Sequence, residues 1–221
     1  MPDVICFSEP FSSISHLSGA AAGMAGSVFL VLKGRSNNAS SQFSLILYSF
    51  CMVCLFLTSG IYHYIERGTS IKYIFRILDY CAIYAMIAGT FTPIHTILFR
   101  GMHRLMILIA VWGLALIGLT MTSLFFDHIP DWVSYSFYIG LGWFGAVSFR
   151  LTYKHQKKFA GYIFIGGVAY TIGAIIDFIN WPVIFPCVFG PHEIFHVFVI
   201  LGALAHWLLI YQIADYRVKI T

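Results

Sequence analysis

Seven apolar runs, each close to the roughly 20 residues an α-helix needs to cross a bilayer, are separated by short polar breaks. They cover approximately Ile14 to Leu32, Phe43 to Ile65, Ile74 to Phe99, Leu105 to Phe126, Trp132 to Phe149, Phe159 to Ile179, and His192 to Ala214. The breaks read KGRSNNASSQ, ERGTSIKY, RGMHR, DHIPD, RLTYKHQKK and NWPVIFPCVFGP. None is long enough to be a domain, and no repeat of about 20 to 50 residues is visible. The pattern predicts an all-α polytopic membrane protein, a seven-transmembrane-helix bundle occupying residues 1–221 as one domain. Composition excludes a soluble domain. Charged residues make up 10% of the chain, against about 25% in soluble proteins, and the mean hydropathy is +0.83.

The charges inform through their placement. Asp3 and Glu9 precede the first run and no Lys or Arg occurs before Lys33, so the basic start of a cleaved signal peptide is missing and the first run is expected to stay as a helix. With seven crossings, Lys33, Arg35, Arg100, Arg104, Arg150, Lys154, Lys157, Lys158, Arg217 and Lys219 share the C-terminal side, and only Arg67, Lys72 and Arg76 the other. This 10 to 3 bias predicts a cytoplasmic C-terminus and an N-terminus outside. The net charge of +4 therefore speaks of topology in a lipid bilayer and not of a nucleic-acid partner. Cys51 and Cys54 form a CxxC in the middle of the second run, where packing is expected rather than redox or metal chemistry. Cys6 and Cys187 are the cysteines expected nearest oxidising solvent, without a pairing being predicted. Asn180 to Pro191, rich in Pro and aromatics, reads as an anchoring loop in the headgroup layer, with a flap over the site as the alternative.

The last run opens with HEIFHVFVILGALAH. Residues four apart stack on one helix face, so His192 and His196 can offer two imidazoles to one metal, half of a zinc site. The same letters match the HExxH of metalloproteases, with Glu193 as general base, but the uncharged stretch from Val197 to Ile213 places the pair at the start of a membrane helix. Polar groups inside membrane spans are costly and face the bundle interior. His63 ends the second span and Asp79 begins the third at the same end as His192 and His196. Ser59 lies one turn deeper than His63 on its face, and His16 and Asp177 sit near this end too. Spacing leaves His16 and His63 both open as a third ligand. His206, about 15 Å beyond His196 along the helix, is too deep to share the metal and reads as a buried hydrogen-bonding residue. His95, His103, His128 and His155 read as solvated or interfacial. Asp79 beside Arg76 has an ion pair as its alternative, and Asp177 is a candidate partner for a histidine ligand.

Glu9 with SSISH up to His16, Ser59-Gly-Ile-Tyr-His63, Leu78-Asp79-Tyr80 leading to AIYAMIAGTFTP, Ala169 to Ala174, and HEIFHVFVILGALAH occur in the order found in the hemolysin III and progestin and adiponectin Q receptor family. The chain resembles that family over nearly its whole length, and by its size its bacterial hemolysin III branch, which implies a bacterial inner membrane. The resemblance implies seven helices with zinc on three histidines, here His63, His192 and His196. It matches Asp79 to a carboxylate that holds a zinc-bound water and Ser59 to a hydroxyl beside the site. Ser12 stands where the family commonly has Asn, and Asp177 where an aromatic is usual. Eukaryotic receptors of the family are held to keep their zinc side in the cytoplasm, the reverse of the charge bias here. Three nitrogen ligands with an open position suit a catalytic zinc. The expected activity is hydrolysis of an amide or ester in a lipid-like substrate, with Asp79 managing the water, Ser59 positioning it and Glu193 as fallback base. The alternative is a zinc-stabilised receptor, transporter or pore-forming protein.

Overall fold

The computed structural model describes residues 9–186 and 188–216. Cys6, Cys187, Arg217 and Lys219 lie outside the described residues. The chain forms α1 (Pro10–Gly34), α2 (Ala39–Tyr64), α3 (Ser70–Leu98), α4 (Met102–Phe125) with a 3-10 turn (Phe126–His128), α5 (Asp131–Trp143), α6 (Gly145–His155), α7 (Lys157–Ile179) and α8 (Pro191–Ile213). A helix satisfies its own backbone groups where lipid cannot, and α1, α2, α3, α4 with its turn, α7 and α8 are each long and apolar enough to cross a membrane.

Helix starts follow local chemistry. Asn38 Oδ1 accepts the Ser41 N–H at 2.9 Å to open α2, and Thr69 Oγ1 accepts the Lys72 N–H at 3.2 Å to open α3, each satisfying a backbone donor that lacks an intrahelical partner. Pro191 sits at the start of α8, where its missing N–H costs nothing. Glu193 Oε2 reaches back to accept the Gly190 N–H at 2.8 Å.

The fifth expected span, Trp132 to Phe149, loses its regular helical bonding at Phe144, whose backbone stays right-handed helical and whose N–H still reaches the Gly140 carbonyl at 3.2 Å. It is divided there into α5 and α6, 13 and 11 residues long. The pair nevertheless follows α3 for most of its length. Tyr138 Oη donates to the Tyr80 carbonyl at 3.4 Å, His95 Nε2 lies 2.7 Å from Ser148 Oγ, and the Phe99 and His155 rings are 6.5 Å apart. From Tyr80 to Phe99 is about 28 Å along a helix axis.

The most enclosed helix is α3, buried continuously from Gly89 to Leu98 by α2, α4, α6 and α8. Its contact with α2 is close because Gly89 has no side chain: a Cβ there would lie 2.9 Å from Cys51 Cβ. Cys51 and Cys54 are free thiols, and Cys51 is core packing. The opposite character marks α1 and α4, whose Phe29 (61% exposed) and Ile109 (72%) stand on lipid-facing surfaces. The loop before α8 folds on itself through paired backbone bonds between Phe185 and Phe189. Trp181, Val183, Phe185 and Val188 are all exposed, as suits a segment resting in the headgroup layer.

His95 departs from the sequence expectation. It is fully buried instead of solvated, because α6 packs over that end of α3 and presents Ser148 to it. His103, His128 and His155 are exposed.

Candidate metal centre

Two helices bring one imidazole cluster together. The last turn of α2 supplies His63, and the first two turns of α8 supply His192 and His196. Each offers one nitrogen to a group whose ligand atoms all lie within 4.8 Å of one another, the one such group among the described residues. His192 Nε2 is 3.3 Å from His63 Nε2 and 3.1 Å from His196 Nε2. Nitrogens held about 2.0–2.1 Å from one ion at tetrahedral angles lie about 3.3–3.4 Å apart, so the cluster is close to a ligand set already drawn together.

The outward-facing nitrogens decide which proton each ring carries. His63 Nδ1 lies 2.7 Å from Glu9 Oε2, and His192 Nδ1 lies 3.0 Å from Asp177 Oδ1. The hydrogen bond to His63, together with Lys72 at 3.8 Å and Arg67 at 2.8 Å, holds the Glu9 carboxyl down to about 2. A carboxylate only accepts, so Nδ1 must donate on both rings, and the neutral imidazoles then turn their Nε2 lone pairs toward each other. A cation between the two satisfies that arrangement. Carboxylates behind histidine ligands orient the ring and raise its basicity in this way. Asp177 also accepts the Tyr135 hydroxyl at 2.5 Å, which fixes the carboxylate in turn.

Of the other residues singled out, His16 is buried at the site without joining the ligand group. Its ring lies 3.8 Å from that of His196, centroid to centroid, and packs against Phe56. Asp79 and Ser59 are hydrogen-bonded to each other, and both line the cavity that His192 and His196 also line. Among the described residues Arg76 forms no ion pair with Asp79. Glu193 is committed elsewhere: one oxygen caps α8 and the other accepts the Ser12 hydroxyl at 3.2 Å, tying α8 to α1. His206 is remote from the cluster. It bonds to the Ile163 backbone and nests where Gly166 leaves room, a Cβ there falling 2.3 Å from its Nε2. Sequence alone assigns Glu9 no role, and only its position at the start of α1, beside the end of α2, reveals one.

The cavity has a volume of about 450 Å³ and is mostly apolar below the histidines. Trp143 and Phe164 line it and are 54% and 57% exposed, so it reaches the outer surface between the α5–α6 break and α7.

A sequence model of the family described as "Haemolysin-III related" matches residues 5–207. The chain belongs to this family. It is 30% identical over 217 residues to the hemolysin-3 homolog of Bacillus subtilis (strain 168), covering 96% of this chain and 95% of that protein. It is likewise 30% identical over 197 residues to hemolysin-3 of Bacillus cereus, covering 88% and 86%. As a member of the haemolysin III family it is an integral membrane protein with apolar spanning helices and a buried histidine cluster that can hold a metal ion.

Proposed function

We propose that this haemolysin III protein is a zinc-dependent intramembrane hydrolase acting on an amide or ester of a lipid. One observation carries the reading: three histidine nitrogens converge beside a Ser59-bonded Asp79 at the head of an apolar cavity that reaches the lipid-facing surface. Zinc would be held there by His63, His192 and His196 and would supply Lewis acidity toward water and a carbonyl oxygen. Asp79 would serve as the general base that accepts a proton from water, and Ser59 holds the carboxylate in place. The apolar walls take up acyl chain while Tyr80 and Tyr135 stand at the polar end. Glu193, occupied by the α8 cap and Ser12, is poorly placed to act as a base. The test is fatty-acid release from a panel of ceramides and glycerolipids, in detergent and in liposomes. Zinc-loaded protein should turn over at least one class and metal-stripped protein none. Absence of turnover across the panel favours the non-catalytic alternative, a receptor, transporter or pore-forming protein, in line with the hemolysin names of the relatives.

The bilayer reading includes seven crossings, with α5 and α6 acting together as the fifth, supported by their shared course along α3. On that topology the basic residues put the metal end and the N-terminus outside the bacterial inner membrane. A fluorescent reporter that works only in the cytoplasm should be bright when fused after Thr221, and an export-dependent reporter silent. The reverse pattern overturns the orientation.

The carboxylates behind the ligands provide a second check. Glu9→Ala and Asp177→Ala should each weaken zinc retention by about 10- to 100-fold, the usual cost of losing such a partner, measured by competition with a chelator of known affinity. Retention equal to wild type in both would remove them from the site.

A further inference from the structure

On the metal-site end of the bundle, outside the cavity just described, α3, the end of α4 and the start of α5 enclose a second pocket of about 220 Å³. It is lined by Arg76, Tyr80, Thr122, Asp127, Asp131 and Ser134, among others. Arg76 is its cation. The guanidinium lies 5.0 Å from the Phe126 ring centroid and 5.9 Å from that of Tyr80, and it hydrogen-bonds to Tyr80. Aromatic faces on this side fix the flat group. Among the described residues Arg76 makes no close ion pair, and Asp131 across the pocket acts on it only through space, which leaves its hydrogen-bond donors open to an anion. Asp127 accepts the Tyr73 hydroxyl at 2.8 Å and is exposed, as is Asp131 at the first position of α5.

Depth says what fills such a pocket. Arg76 lies about 9 Å along the axis from the start of α3, a helix about 43 Å long, whereas the hydrocarbon core is about 30 Å thick. The pocket therefore lies at the boundary between acyl chains and headgroups. Phe125 and Trp132, 53% and 61% exposed, stand beside it, as aromatics do at that level.

The charges select the headgroup. One guanidinium and two carboxylates disfavour an anionic headgroup through the acids, while a simple cation leaves the Arg76 donors without an acceptor. A zwitterion satisfies both sets. We propose that this pocket binds the zwitterionic headgroup of a membrane phospholipid, phosphate on Arg76 and ammonium between Asp127 and Asp131. The Ser134 and Thr122 hydroxyls stand in the wall beside them. This site stands whether or not the metal centre is catalytic, although Tyr80 lines both the pocket and the larger cavity.

The test is lipid binding to full-length protein by native mass spectrometry, with phosphatidylethanolamine and phosphatidylglycerol of identical chains. Wild type should prefer phosphatidylethanolamine by at least about tenfold, the worth of a charge-assisted hydrogen bond. Arg76→Gln should weaken binding of both lipids by about tenfold, since both carry the phosphate, and Arg76→Lys should keep most of that affinity. The double change Asp127→Asn with Asp131→Asn should turn the preference toward phosphatidylglycerol, which loss of packing alone does not do. Glycerophosphoethanolamine, which has the headgroup without chains, should compete poorly. Equal binding of the two lipids by wild type, affinity unmoved by Arg76→Gln, a preference unmoved by the double change, or full competition by the chainless headgroup each overturns the proposal.

Discussion

His63→Ala, His192→Ala and His196→Ala should each take purified protein from about one zinc per chain to none measurable, since three protein ligands are the fewest such a site uses. The effect should extend to stability. An ion bound only by the folded chain contributes about 4 kcal/mol at a free concentration 1,000 times its dissociation constant. Wild type should accordingly unfold at a higher temperature when zinc is added, and the three variants should not respond. His16→Ala is the control. His16 packs on His196 but lies outside the ligand group, so that variant should keep its zinc. Zinc content assayed by mass spectrometry decides the matter: loss in the His16 variant with retention in the His63 variant would reassign the third ligand.

Asp79→Asn should leave zinc bound yet cut lipid amide or ester turnover by at least about 100-fold, the lower range for general acid–base catalysis. Asn keeps the shape and can still pair with Ser59, so a fall in rate at unchanged zinc content isolates proton transfer from folding. Ser59→Ala should cost less, about 10-fold or somewhat more, the worth of one hydrogen bond to a charged group. Glu193→Gln should have little effect on rate. A glutamine in the first turn can still accept the Gly190 N–H. Full activity in the Asp79 variant with a dead Glu193 variant would restore the metalloprotease-like assignment of the base.

Much of the site was legible because helical spacing is a local property. His192 and His196 face one way by the four-residue rule alone, and the depth of His63, Asp79 and Asp177 follows from where their spans begin and end. What spacing leaves open is how each helix is turned about its axis. His63 meets His192 across 129 residues, and His16, equally buried and equally near, does not enter the ligand group. That choice depends on how α1 and α2 pack, where Ser13 Oγ donates to the Gly60 carbonyl at 2.9 Å. Glu9 illustrates the same limit: an acid before a span carries no sign in the sequence that it will meet the last turn of the next one.

By itself the sequence determined the membrane class, the all-helical build and the end of the bundle at which the polar groups gather. These follow from apolar run length and from the cost of placing polar groups in hydrocarbon, and both quantities are sums over neighbouring residues. Only the tertiary structure decided that the fifth run is divided at Phe144 and that His95 is buried against Ser148. The hydropathy of Trp132 to Phe149 is continuous through the break, and the glycines around it, Gly140, Gly142 and Gly145, weaken a helix without fixing where it ends. It also decided that Glu9 and Asp177 stand behind two of the histidines and that Glu193 is spent on a helix cap. Hydrogen bonds are directional and short, so their partners are set by the rotation and approach of whole helices, which a one-dimensional pattern does not contain.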